Sequence, residues 1–423
     1  MLKKAILLAY FLILIFQIQF VFFPFGVHIF FGVIGMALAY SGLFLNDTKY
    51  LVLKRSTNPY IVLKFFVPCF LIALLTMLIN GTTDAHFVTY GINIFFSYYA
   101  FFLLAYLFIN VYGSITPKMI IEYFVIAQVI YIVISLFIYF FPEFGDWIFR
   151  YLREDEDALA KMECLSIHRL HGIGIRYFTS GAVGGLVLIL IAFYFHYYKL
   201  KVSQSVMMIV GFIFIFVFGL MMARTIMIGG GFAMGILILH MLNNRKSIKG
   251  VIGSIIALIS AFIIYSTLLS SFLQSNMMEN LTSFGFEAFY NYESTGSFDV
   301  GSNENMFSQY RTIPSNLKTW IIGDALWKGT NGGYYMKTDI GHIRYIFYFG
   351  IVGLLVFYYF QYNFLKQVFA KRPFKSFYIV LVLIAYMLVL NFKGVIDFYN
   401  VVLIFFFAMQ ASPNGVLKRL KGH

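Results

Sequence analysis

Apolar residues along this chain do not alternate, and they do not mark one stripe of a helix. They fill uninterrupted runs of roughly twenty residues, divided by short polar breaks. A helix of about 20 apolar residues crosses the ~30 Å hydrocarbon core of a bilayer, whereas a helix on a soluble core keeps a polar face. About twelve runs meet that criterion. They extend from Ala5 to Phe22, Val27 to Leu45, Ile61 to Ile79, Phe87 to Val111, Met119 to Phe141 and Phe178 to Phe195. The second half continues with Ser205 to Met222, Ile226 to Leu242, Val251 to Leu273, Ile340 to Phe364, Phe377 to Leu390 and Val395 to Gln410. The first run follows Lys3 and Lys4 but reaches Phe22 with no small-residue cleavage site, so it reads as a retained span rather than a signal peptide. The pattern predicts an all-α polytopic membrane protein of about twelve transmembrane helices, a single integral membrane domain over residues 1–423.

Composition agrees. The 423 residues are 61% hydrophobic and 12% charged, with a mean hydropathy of +0.83, which excludes a water-soluble globule, a disordered chain and a disulfide scaffold. A net charge of +13 would point to nucleic acid in a soluble protein. Here the charges sort by side. With both termini cytoplasmic, the inner segments hold Lys3, Lys4, Lys49, Lys54, Arg55, Lys64, Lys118, Lys199, Lys201, Arg245, Lys246, Lys249, Lys366, Lys371, Arg372, Lys375, Lys418, Arg419 and Lys421, but only Asp47 and Glu122 among the acids. The inner side then carries about +17 and the outer side about −4, the positive-inside pattern. The basicity is a topology signal suited to anionic membrane lipids, and no nucleic-acid partner is expected. Of the two cysteines, Cys69 falls in a span and Cys164 in an outer loop, so no disulfide is expected. The sequons at Asn46, Asn80 and Asn280 are chance matches.

Two outer loops are long, at residues 142–176 and 274–338, and long loops in a tight bundle are where function concentrates. The first opens with Trp147, Ile148, Phe149, Tyr151 and Leu152 among charges, a pattern for an amphipathic helix at the membrane interface. The acidic run Glu154 to Asp157 reads as a solvated face, because consecutive carboxylates point around a helix instead of converging on a metal. Arg169, His171 and Arg176 follow at the outer membrane edge, either snorkelling to headgroups or binding an anion. Arg224 stands between two spans with no real loop, where a guanidinium needs compensation and can grip phosphate oxygens in a bidentate fork. Gly229, Gly230, Gly231 and Gly235 follow it, and close helix packing is the first expectation for them. In the second loop, Arg311 precedes Asp339, His342 and Arg344 at the mouth of the tenth span. Asp339 and His342, at i and i+3, share a helical face, where a carboxylate beside an imidazole can accept a proton; equally, Thr338 or Asp339 suits a helix N-cap. Lys393 is a further outer cation. No metal-ligand spacing, phosphate-binding loop or dinucleotide fingerprint is present, so no metal or cofactor is expected, and the cations suit a lipid-linked diphosphate.

These residues give the chain a resemblance to the bacterial O-antigen and capsule polymerases (Wzy-type), relatives of the O-antigen ligases. It rests on Ala223-Arg224-Thr225 between paired spans, the large late outer loop, the IIGDAL stretch from Ile321 and TDIGHIRYIFYFGIVG from Thr338. Arg224 and Gly235 also stand at the Arg-x10-Gly spacing of some polymerases, whereas Arg169 meets Ser180 at that distance, and His342 replaces the family's usual Tyr. The resemblance implies a C-type glycosyltransferase-like inner-membrane enzyme without metal or cofactor. It would join undecaprenyl-diphosphate-linked oligosaccharide repeat units into O-antigen or capsular polysaccharide on the periplasmic face, with a chain-length regulator protein as an accessory partner. Asp339 or His342 would activate the acceptor hydroxyl, and Arg224, Arg176, Arg344 and Arg169 would bind the diphosphate, with His171, Arg311 and Lys393 as further candidates. Trp320, Trp327, Tyr334 and Tyr335 would either stack on sugars or anchor the interface. An O-antigen ligase acting on lipid A-core and a lipid-linked oligosaccharide flippase remain the alternatives.

Overall fold

The computed structural model describes residues 1–42, 48–153, 169–243, 276–297, 309–329, 332–369 and 377–411. In chain order its helices are α1 (Leu2–Ile15), α2 (Val27–Ser41), α3 (Leu51–Arg55), α4 (Tyr60–Leu63), α5 (Val67–Asn80), α6 (His86–Tyr112), α7 (Pro117–Phe140), α8 (Pro142–Phe149), α9 (Tyr177–Tyr197), α10 (Val202–Met222), α11 (Ile226–Asn243), α12 (Asn276–Gly285), α13 (Glu287–Thr295), α14 (Leu317–Ile321), α15 (Gly341–Val368), α16 (Phe377–Asn391) and α17 (Tyr399–Ala411). Among the described residues there are no strands, only two isolated bridges. Among the described residues five helices, α6, α7, α9, α10 and α15, are long and apolar enough to cross a membrane. The others of apolar character are shorter. Helix stands at each expected run except the ninth, Val251 to Leu273, which lies outside the described residues together with Glu154 to Asp157 and Cys164.

Two runs are broken in ways that correct the sequence reading. The third is interrupted between α4 and α5, where Pro68 stands in the first turn of α5 and has no amide proton to carry a continuous helix backward. The first ends at Ile15 rather than Phe22. Gln17 takes a left-handed conformation (φ 50°), and Phe20 beyond it forms an isolated antiparallel bridge with Leu152. The backbone here pairs with the segment after α8: the Val21 amide donates to Tyr151 (2.9 Å) and the Arg153 amide to Gln19 (2.9 Å). The expected amphipathic helix is present as α8, with Trp147 and Phe144 on its exposed side.

The chain divides into two compact units, Met1–Tyr10, Phe25–Ile120 and Gly301–His423 in the first, Phe11–Pro24 and Ile121–Val300 in the second. In the first unit, α2 and α17 pack on α6, and α5, α14, α16 and α17 pack on α15. Helix α15 is broken at Phe349 and Gly350, where Gly350 adopts φ 68° and ψ −176°. A Cβ there would fall 2.1 Å from the Ile321 carbonyl oxygen, so only glycine fits. The break frees carbonyls that a continuous helix would satisfy, and the preceding loop supplies the donors: the amides of Asp324 and Ala325 bond Phe347 (2.6 Å) and Tyr348 (2.9 Å).

In the second unit, α9 packs along α10 and α11. From Ser180 to Tyr194, α9 is buried on every side, as an apolar helix without a polar face should be. A Cβ on Gly229 would lie 2.2 Å from the Cα of Gly185, so α9 and α11 meet backbone to backbone. Gly230 lies against the Phe216 ring, whereas Gly231 and Gly235 face open space. Close packing therefore explains the first two glycines and not the pair in GxxxG spacing. At the far end of the same contact, His196 and His240 hydrogen-bond through their Nδ1 atoms at 3.1 Å.

Candidate functional site

The second unit gathers Arg169, His171, Arg176 and Arg224. The segment Leu170 to Arg176 folds back tightly because its backbone is tied at several points. The Leu170 amide donates to Met221 (3.1 Å), the Ile175 amide to Phe16 (2.8 Å), and the Tyr131 hydroxyl to the Ile175 carbonyl. Glycines make this possible: a Cβ on Gly172 would overlap the Tyr131 hydroxyl, and Gly174 has φ 82° with the Phe16 carbonyl against it. Arg176 closes the loop by donating from Nε to the Gly172 carbonyl (3.1 Å), and its guanidinium lies over the Phe149 ring of α8.

Arg224 occupies the reversal between α10 and α11. Extended Ala223 ends α10, and the Arg224 carbonyl already accepts the amide of Met227 as α11 begins. A cation at a helix N-terminus opposes the helix dipole and adds to the positive potential there. Arg224 forms an ion pair with Glu287, the first residue of α13. Arg169 and Arg224 share one aromatic ring, Phe284 of α12, with guanidinium carbons 4.2 and 4.7 Å from its centroid. Burial, and then the Arg224 charge, pull the Arg169 guanidinium below its usual pKa, while Tyr177 and Glu287 act against them. Sequence reasoning had brought the three arginines to one side, but Phe284 and Glu287 were missed as their partners. Glu287 stands three residues after Phe284 in a short polar helical stretch, a signal visible only once α12 and α13 are placed.

The first unit holds a different constellation. Asn80, the last residue of α5, and Thr82 and Asp84 beyond it bind alternate residues of the later loop. Asn80 Nδ2 donates to Gly323 (3.1 Å), Thr82 Oγ1 to Ala325 (3.1 Å), and Asp84 Oδ2 accepts from the Trp327 amide (2.6 Å). Asp324 accepts from Thr319 (2.7 Å) and Tyr335 (3.2 Å), which ties the segment to α14. Sequence reading treated Asn80 as a chance sequon, Tyr335 as a sugar or interface aromatic and Asp324 as part of the IIGDAL stretch, and it did not single out Thr82 or Asp84. Trp327 stacks on His86 (4.2 Å, 10°), and Arg344 lies over both Trp327 (3.9 Å) and Tyr334 (4.0 Å) while Nη2 donates to the Trp327 carbonyl (3.2 Å). Trp320 donates to the Pro314 carbonyl (2.9 Å), and of the four aromatic candidates Tyr334 is the large exposed one.

Asp339 and His342 do not share a helical face. The Thr338 hydroxyl accepts the Ile340 amide (3.3 Å), Ile340 stays extended, and α15 starts at Gly341, which leaves Asp339 outside it. Neither Thr338 nor Asp339 is the N-cap; Ile340 is. Asp339 is on the surface, and the atoms packed around it raise its carboxyl above the usual value despite Arg344 and Lys393 nearby. His342 uses both ring nitrogens within the unit: Nε2 faces the Leu388 carbonyl (3.1 Å), which can only accept, so Nδ1 accepts from the Tyr358 hydroxyl (2.6 Å). Arg311 is exposed on the turn before α14.

No known protein family, curated protein or solved structure matches the chain.

Proposed function

We propose that this membrane protein is a glycosyltransferase that polymerises undecaprenyl-diphosphate-linked oligosaccharide repeat units into O-antigen or capsular polysaccharide at the periplasmic face of the bacterial inner membrane. One observation carries the reading: Arg169 and Arg224 are held on the ring of Phe284, with Glu287 paired to Arg224 and Arg176 in the adjoining loop. Guanidinium groups gathered in this way grip the oxygens of a diphosphate diester in bidentate forks. In a partly dry site neighbouring cations are costly when empty and favourable when filled. During transfer the bond from the anomeric carbon to the diphosphate breaks, its electron pair stays on the phosphoryl oxygen, and the arginines meet the charge that develops there. The acceptor hydroxyl gives up its proton to solvent as it attacks.

The test is a glycan ladder from cells carrying Arg224→Ala or Arg224→Lys in place of the wild-type gene. Loss of long chains with single repeat units still present supports polymerisation. Loss of all glycan from lipid A-core supports ligation, which uses the same donor. Normal ladders from both variants at normal protein levels overturn the diphosphate clamp.

A further inference from the structure

His171 is 5% exposed, and neither of its ring nitrogens has a hydrogen-bond partner among the described residues. A neutral imidazole carries one donor and one acceptor, and burying both unpaired is unfavourable enough that native proteins reserve it for places where a ligand or water completes the set. The ring is held in place rather than loosely packed. Gly172 and Gly174 fix its loop, the Tyr131 hydroxyl of α7 ties that loop at Ile175, and Tyr177 at the start of α9 lies edge-on to the imidazole at 5.6 Å. The charged groups acting on it are Arg176 and Arg169 in its own loop, while Arg224 and Glu287 act in turn on Arg169. Burial, reinforced by those two guanidinium groups, lowers the His171 pKa to about 4, so the empty site holds it uncharged.

We propose that the missing partner of His171 is a phosphoryl oxygen of the anion bound by Arg169, Arg176 and Arg224, and that His171 takes a proton from solvent as that anion enters. This rests on the diphosphate reading above. In the empty site a third positive charge beside two guanidinium groups is repelled. Two phosphate charges cancel that field, and a phosphoryl oxygen against the ring makes the same imidazole a favourable place for a proton. By linkage, a site that gains a proton on binding holds its anion more tightly as pH falls.

The experiment is calorimetric titration of the full-length protein in detergent with P1-farnesyl P2-methyl diphosphate. Its phosphates are diesters and lack the second phosphate ionisation near pH ~6, so the ligand itself contributes no proton exchange. Titration in two buffers of unlike ionisation enthalpy reads the protons taken up per ligand bound. Wild type is expected to take up a sizeable fraction of a proton at about pH 6.5, near the free histidine value. His171→Gln keeps a donor but cannot titrate; it should bind within about threefold of wild type with the uptake gone, whereas His171→Ala should bind about tenfold more weakly. Proton uptake in His171→Gln equal to wild type, or His171→Ala binding as tightly as wild type, overturns the proposal. Arg224→Ala separates this from its parent. If Arg224→Ala weakens binding while both His171 variants behave as wild type, only the His171 role fails. If wild type does not bind the diester, the diphosphate reading fails and takes His171 with it. Should the variants not fold, imidazole nitrogen resonances of the histidine-labelled wild type give the answer: one ring must move to the imidazolium position on adding ligand, and spectra without such a shift overturn the proposal.

Discussion

Arg344 in the first unit and Arg224 in the second are both guanidinium groups drawn off the surface, but their surroundings differ. Arg344 is packed between the rings of Trp327 and Tyr334 and donates to a backbone carbonyl of the loop it supports. Its neighbours are the groups that hold the loop to α15. Arg224 stands beside a second arginine on a shared ring, paired with Glu287, with a helix N-terminus adding to the positive field. A cation among aromatic faces has its stabilising partners already and works as a packing element; a cation placed against another cation is stabilised fully only when an anion arrives. On the proposed function the first constellation serves architecture and the second binding, which substitutions at each can separate.

The largest effect is expected at Gly350→Ala in the first unit. The added methyl meets the Ile321 carbonyl and the backbone loses its left-handed option, for a loss of about 3 kcal/mol or more, read as failure to accumulate or a sharply lowered melting temperature in detergent. Arg224→Ala should lower glycan transfer about 100-fold, close to the effect of deleting one donor from an anion-stabilising site, while melting shifts little. Arg344→Ala should do the reverse, costing about 2 kcal/mol of stability through lost ring contacts, with Arg344→Lys a poor rescue because an ammonium does not stack. If Arg344→Ala instead melts normally and abolishes transfer, the division between the two arginines is wrong. A smaller effect is expected from pH. The atoms packed around the surface carboxyl of Asp339 raise its pKa, so the folded protein binds that proton more tightly than the unfolded chain, and stability falls as pH rises from the usual carboxylate value through the raised one. Asp339→Asn should remove this pH dependence of the melting temperature. The smallest effect, within about 0.5 kcal/mol, is expected for Gly231→Ala, which faces open space, in contrast with Gly229→Ala, whose methyl strikes α9.

Helix positions were legible because uniform apolar runs leave one economical conformation in hydrocarbon, and the largest misreadings occur where local chemistry overrides that rule. Pro68 divides the third run, and beyond Ile15 the end of the first becomes a segment whose backbone pairs with the residues after α8. The arginines stood out as cations in apolar surroundings. Their partners did not, since Phe284, Glu287 and the Asn80, Thr82 and Asp84 series are unremarkable until distant segments meet. Asp339 and His342 looked paired by spacing alone, and the hydroxyl of Thr338 delays the helix that would have paired them.

The break in α15 bears on how the chain enters its membrane. Carbonyls of Phe347 and Tyr348 reaching a hydrocarbon environment bare would each cost several kcal/mol, and their donors belong to Asp324 and Ala325, translated earlier. Loop and helix must therefore be handed over together by the insertion machinery, so a lesion anywhere from Leu317 to Trp327 should present as protein cleared during biogenesis, before any question of catalysis arises.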